Sequence, residues 1–356
     1  MISMIWMTVL ALAAARSVAQ AAPVELERLV FETSHGQRAA LVHPQDRPSA
    51  LVLLLHGAGS DAEQMRALTG YGFERLAEQA GWVVVYAEGF GKTWNDCRRT
   101  PLFPAKTHNI DDVSFLAEVI HTVRTRYGIP KGRVLVGGFS NGGQMAMRLA
   151  LERPNAVDGF LAIGAQMPLV SESLCAMGSR PVHALFVAGT ADPIAPYMGG
   201  ASKMLDGRPL GSSESARATA AAFAQLAGYK GAGMVSSLGD RDGDGRTTVE
   251  FEIWRSAQLP SIQLYTIHGG GHTIPQKEVR FPPAYGATSA DVDIATVTLE
   301  FMRTWSQPAT AGWQLRTAER RERTLDCRQQ QAGMRLSACL RPLYPMKESQ
   351  QLVAHF

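Results

Sequence analysis

Charge is scarce in this 356-residue chain: Asp, Glu, Lys and Arg together make 19%, and the formal net charge is only +3. That excludes the basic footprint of a nucleic-acid binder and the strongly basic face of a membrane-surface protein. Cysteine is sparse too, with four residues whose spacings match no zinc framework. The chain has no internal repeat and no Ser/Thr/Pro-rich linker long enough to separate a pair of large domains. Beyond the first residues, no apolar run is long enough to cross a bilayer. What abounds is hydrophobic residue, 46% of the chain, with 34 Gly and 19 Pro. This composition excludes disorder, coiled coil and collagen, and it supplies one large buried core.

Three regions are expected. Residues 1–21 read as an export signal: an apolar run over 2–15, then Ala19-Gln20-Ala21 as an A-x-A cleavage site, with the mature chain starting near Ala22. Residues 22–305 form a catalytic-size domain. From Ser306 to Phe356 the composition shifts to Arg and Gln, a C-terminal appendage read as a solvated helical face. Export to a secreted or periplasmic location makes disulfides the natural state of the cysteines, and four of them permit three pairings. Cys327 and Cys339 lie close together in the tail, which leaves Cys97 for Cys175. With the signal removed, neither membrane nor nucleic acid is an expected partner.

Past the leader, short apolar runs alternate with segments of helical spacing, the pattern of a mostly parallel sheet with helices on both faces. Strands are expected over 51–55, 82–86, 133–137, 159–163, 184–188 and 262–267, with an N-terminal hairpin of 29–32 and 38–42 at the sheet's edge. The clearest helix covers 111–127, with Val113, Leu116, Ile120 and Val123 on one face and Gly128 and Pro130 ending it. Other helices fall near 142–153, 213–226 and 293–305.

Gly138-Phe139-Ser140-Asn141-Gly142 stands directly after an expected strand and before an expected helix, the context a G-x-S-x-G elbow requires. A strand that turns sharply into a helix aims Ser140 outward at a helix N-terminus, and side chains at Gly138 or Gly142 would collide with neighbouring backbone. A serine hydroxyl is a weak nucleophile without a base, so a carboxylate and a histidine are sought downstream in that order. Asp192 follows the strand 184–188, and His272 follows 262–267 after three glycines. Each occupies a loop at the carboxyl end of a strand, where open α/β sheets place their sites. The roles expected are nucleophile for Ser140, general base then acid for His272, and imidazole orienter for Asp192.

Two backbone amides should form an oxyanion hole: that of Asn141, and that of Ala58 in His56-Gly57-Ala58-Gly59-Ser60, with Gly59 second. His268 rivals His272 as base but sits at a strand end, and the intervening glycines deny the two histidines the helical spacing of a metal pair. His56 is expected to make a structural hydrogen bond; His35, His43, His108, His121, His183 and His355 read as surface or core residues. Asp240-Arg241-Asp242-Gly243-Asp244-Gly245 begins like a calcium loop, yet position twelve is Phe251 where Glu is needed, so it reads as an acidic turn between two strands. No motif requires a cofactor or a metal.

With these residues in place, the chain resembles the secreted esterase family that includes polyhydroxybutyrate depolymerase-like proteins and feruloyl esterases. The resemblance is carried by Leu54-Leu55-His56-Gly57-Ala58-Gly59, Trp94-Asn95-Asp96-Cys97, Asp111-Asp112-Val113-Ser114-Phe115 and Gly137-Gly138-Phe139-Ser140-Asn141-Gly142-Gly143. It continues through the stretch from Gly189 to Tyr197 and through Gly269-Gly270-Gly271-His272-Thr273-Ile274-Pro275. It implies an α/β-hydrolase fold and hydrolysis of hydroxyalkanoate or aryl esters, free or on a polymer, through an acyl-enzyme, with Ser140, Asp192 and His272 matching the triad. Where this family often has Trp two residues after the histidine, this chain has Ile274, which would remove an aromatic surface from the rim. Trp94 and Tyr197 are candidate substrate walls. A serine peptidase on the same fold normally needs a large covering domain, for which there is no room, and a non-catalytic binding protein would normally lack a triad member.

Overall fold

The computed structural model describes residues 26–129 and 133–306. Its secondary structure runs β1 (Glu27–Thr33), β2 (Gly36–His43), β3 (Ala50–Leu55), α1 (Ala62–Leu68), α2 (Gly72–Ala80), β4 (Trp82–Ala87), α3 (Pro104–Thr107), α4 (Asp112–Tyr127), β5 (Val134–Phe139) and α5 (Asn141–Glu152). It continues with β6 (Gly159–Ile163), β7 (His183–Gly189), β8 (Gly200–Lys203), β9 (Pro209–Ser213), α6 (Ala216–Leu226), β10 (Met234–Gly239), β11 (Thr248–Trp254), β12 (Ile262–His268) and α7 (Ile294–Arg303). Ten strands join in one sheet in the order β1-β2-β4-β3-β5-β6-β7-β12-β11-β10. The central six from β4 to β12 pair in parallel. β1 and β2 at one edge, and β11 and β10 at the other, are antiparallel.

All six residues of β3, β4 and β5 are buried, so both faces of the sheet are covered. α4 packs on β1, β3, β4 and α5, while α2 and α7 pack on each other and α2 also on β4. α4 shows why such segments are helical. The Asp111 side chain accepts from the Ser114 amide at 2.9 Å, and Gly128 closes the other end in the left-handed region. Val113, Leu116, Ile120 and Val123 point into the core as their spacing requires, each contributing about 1.5 to 3 kcal/mol of burial.

The expected strands stand within two residues of their predicted ends. α1 and α2 were not legible as periodic runs: at seven and nine residues they are too short for a clear stripe. The 213–226 segment is a helix only from Ala216, capped by Ser215, because Ser213 belongs to the unforeseen β8–β9 hairpin. Cys97 and Cys175 form a disulfide with Cα atoms 5.2 Å apart, tying the segment after β4 to the loop after β6. The leader 1–21, Pro130, and the tail beyond Ser306 with Cys327, Cys339 and His355 lie outside the described residues. Among the described residues no helix is long and apolar enough to cross a membrane.

Candidate active site

The site begins where β5 becomes α5 with no intervening loop. Ser140 makes the turn at φ 54° and ψ −118°, a conformation that costs a non-glycine residue about 1 to 3 kcal/mol and persists only where the surroundings enforce it. They do: the Ser140 amide donates to the Ile163 carbonyl at 2.8 Å, and its carbonyl accepts from the Gln144 amide at 3.0 Å. A Cβ on Gly142 would lie 2.2 Å from the Leu55 carbonyl oxygen, and one on Gly138 would lie 2.2 Å from the Gly142 carbonyl carbon. Glycine is thus the residue that lets strand, elbow and helix touch. Ser140 occupies the N-cap position of α5, yet its hydroxyl makes no capping bond, which leaves Oγ available at the positive end of the helix dipole.

Asp192 and His272 arrive on loops that leave the adjacent parallel strands β7 and β12. His272 Nδ1 lies 2.7 Å from Asp192 Oδ2, and both residues are buried. Asp192 Oδ1 accepts from the amides of Ile194 and Ala195, each at 2.8 Å, so the carboxylate is fixed in direction. A carboxylate on Nδ1 holds the proton there and leaves Nε2 to exchange a proton with a neighbour. Phe139 and Tyr285 flank the imidazole, with ring centroids 4.8 and 6.4 Å away. Ser140 and His272 border the same two cavities. His268, by contrast, is half exposed and faces Glu250 at 4.0 Å.

Ala58 lines the larger of these cavities beside Ser140. The Gly59 amide donates to the Lys92 carbonyl at 2.8 Å and the Ser60 amide to that of Gly57 at 3.2 Å; the Ala58 amide takes no share in either bond. Asn141 is the first residue of α5, directly after Ser140. Its side chain is occupied in holding the Trp94 segment, with Oδ1 accepting from the Trp94 amide at 2.8 Å and Nδ2 donating to the Trp94 carbonyl and to Asp96.

His56 is structural. Its Nε2 accepts from the Gly89 amide at 2.9 Å and its Nδ1 contacts the Gly57 carbonyl at 2.8 Å, so it is neutral, and burial pushes its pKa down to about 4. His183 has the same constraint: Nδ1 accepts from the Ser261 amide at 2.8 Å, and burial lowers it to about 4. An unfolded histidine takes up its proton near 6.5, so both contributions to stability are complete above pH 6.5 and disappear as pH falls toward 4. Each is worth up to roughly 3 kcal/mol. The urea midpoint should therefore drop between pH 7 and 4.5, and His183→Asn, which keeps an acceptor for Ser261, should remove about half of this histidine-dependent loss. An unchanged midpoint over that range would refute the neutral-histidine account.

The larger cavity has a volume of about 250 Å³ and is walled mainly by Phe103, Met204, Leu210, Phe281 and Tyr285. Neither expected wall is among them. Trp94 is fully buried under His56, with its indole N–H donating to the His56 carbonyl at 2.9 Å. Tyr197 packs against the core with its hydroxyl on Thr266 Oγ1 at 2.8 Å. Ile274 is wholly buried as well, so that position is no rim; Phe281 and Tyr285 supply aromatic surface beside the histidine. Arg98, also missed, borders both cavities and is held by Asp96. Nothing local in the sequence marks these residues, since they come from three separate segments, the β4–α3 connection, the β8–β9 hairpin and the β12–α7 connection. The acidic segment is an exposed turn between β10 and β11. Its three carboxylates lie within 4.8 Å of one another, and Asp240 accepts from the Gly243 and Gly245 amides.

A family profile described as Phospholipase/Carboxylesterase matches residues 37–204. NocK of Nocardia uniformis subsp. tsuyamanensis, described as an esterase, is 28% identical over 275 residues, which is 75% of this chain and 77% of that protein. Feruloyl esterase D of Neurospora crassa is 29% identical over 160 residues, 42% of this chain and half of that enzyme's length. In fold, the acetyl xylan esterase from Aspergillus awamori superposes with a TM-score of 0.52 over 79% of this chain and 99% of its own, at 13% identity. With an elbow serine and a buried histidine–carboxylate pair on such a sheet, the chain has an α/β-hydrolase fold and is a serine ester hydrolase similar to these esterases.

Proposed function

We propose that Ser140, His272 and Asp192 act as one catalytic unit. His272 Nε2 takes the Ser140 proton as Oγ attacks the ester carbonyl, and returns it to the departing alcohol. Water, deprotonated by the same nitrogen, then cleaves the acyl-serine and releases the acid. The amides of Ala58 and Asn141 receive the oxyanion, each such donor being worth roughly 2.7 to 4 kcal/mol in the transition state. The observation that carries this reading is the 2.7 Å bond from buried Asp192 to His272, at the cavity that Ser140 also borders.

The aromatic walls of the larger cavity and its volume of about 250 Å³ support aryl or short-chain esters as substrates, of feruloyl or hydroxyalkanoate type. The Cys97–Cys175 disulfide and the leader-like first residues support a secreted or periplasmic location. The test is turnover of methyl ferulate and of a hydroxybutyrate oligomer side by side, with Ser140→Ala as blank. Given the aromatic walls, ferulate is expected to win on kcat/KM. A clear preference for the oligomer would assign the cavity to an aliphatic hydroxyacid, and failure on both would refute these two substrate classes.

A further inference from the structure

A second cavity, of about 20 Å³, also borders Ser140 and His272. That is room for one water-sized group. Its lining is polar where the larger cavity is apolar, and two glutamines set its character. Gln144 stands one helical turn beyond Ser140 on α5, and Gln166 stands three residues beyond β6; both are more than nine-tenths buried. Gln144 Nε2 donates to the Gln166 backbone carbonyl at 2.5 Å, and Gln166 Nε2 donates to the Ala195 carbonyl at 3.3 Å. These bonds fix the amides, because turning either over would set oxygen against oxygen. The consequence is that both Oε1 atoms are acceptors, and each is buried without a donor among the described residues.

Two glutamines that line a hole of single-group size together with the reacting serine and histidine, each with an unfilled acceptor, call for a hydrogen-bond donor on the substrate. We propose that Gln144 and Gln166 are specificity-determining residues whose side-chain carbonyls receive a substrate hydroxyl close to the cleaved bond. This rests on the reading of Ser140 and His272 as the reacting pair. The hydroxyl has two possible sources, the acyl chain and the alcohol.

Matched esters followed by proton release separate the sources. Methyl 3-hydroxybutyrate against methyl butyrate tests the acyl side; 2-hydroxyethyl butyrate against ethyl butyrate tests the alcohol side. The wild-type chain should favour the hydroxyl-bearing member of one pair by about tenfold or more in kcat/KM, because a site built for a hydroxyl penalises its absence. Gln144→Met and Gln166→Met should each bring that ratio to within about twofold of one. Each ratio is taken within one preparation, so loss of some folded protein cancels. Equal rates in both wild-type pairs would overturn the subsite and assign the two carbonyls to a trapped water, as would a preference that survives both substitutions. Turnover of methyl butyrate itself reports the triad, so this failure is distinguishable from failure of the catalytic reading.

Discussion

Ser140→Ala is expected to lower kcat on p-nitrophenyl acetate by roughly six orders of magnitude and to leave the urea midpoint almost where it was. The two halves of that result have separate causes. Activity falls because the substitution deletes the atom that forms the acyl bond, leaving only what the oxyanion donors and binding accomplish by themselves. Stability is nearly unaffected because alanine must accept the same φ of 54° as serine, and the serine hydroxyl makes no capping bond whose loss would weaken α5. His272→Ala should cost a comparable factor, and the double variant no more than either single one, since groups acting as a unit are not additive. Retention of more than about a hundredth of wild-type turnover in Ser140→Ala, with circular dichroism unchanged, would sink the nucleophile assignment. Losses that multiply in the double variant would show that serine and histidine act separately.

The chemistry was far more legible in the sequence than the substrate. Ser140, Asp192 and His272 announce themselves because each sits at the end of an apolar strand run and each belongs to a loop whose glycines are dictated by close backbone approach. Strand runs such as 159–163 are legible because their residues are buried on both faces and so carry no polar interruption. Preferring His272 to His268 as the candidate base rests on its place beyond the strand end, and it is His272 that pairs with Asp192 and borders the cavity. The walls were different. Trp94 stands beside conspicuous motif residues, which suggests an aromatic surface, yet its indole N–H donates to a buried carbonyl and its ring lies in the core. Phe103, Met204, Phe281 and Tyr285 lie in connections far apart in the chain, and only the packing of those connections makes them neighbours. The Gln144 and Gln166 carbonyls are of the same kind: their lack of donors is a property of three-dimensional accounting, invisible to periodicity or spacing.

The second large effect is expected at Gly142, where a single methyl group should damage fold and catalysis together. A Cβ there would lie 2.2 Å from the Leu55 carbonyl oxygen and 2.6 Å from that of His56. Both are backbone atoms at the end of a fully buried central strand, so no rotamer change relieves the contact; α5 must lift away from β3 instead. The expected loss of stability in Gly142→Ala is more than about 3 kcal/mol, at or above the upper range for overpacked cores. Gly128→Ala serves as the control: its φ of +64° makes alanine strained, but nothing lies within 4 Å of the added carbon, so about 1 kcal/mol is expected there. The functional consequence follows from which segments move apart. β3 leads into the loop bearing Ala58, and α5 begins with Asn141, so lifting one from the other separates the two amides proposed for the oxyanion. At a temperature where Gly142→Ala is still folded, its kcat should fall by about a hundredfold or more, the scale of one lost oxyanion donor, while Gly128→Ala keeps wild-type kcat. A Gly142→Ala protein within 1 kcal/mol of wild type by urea unfolding, or one with undiminished kcat when folded, would show that strand and helix are not locked together as described.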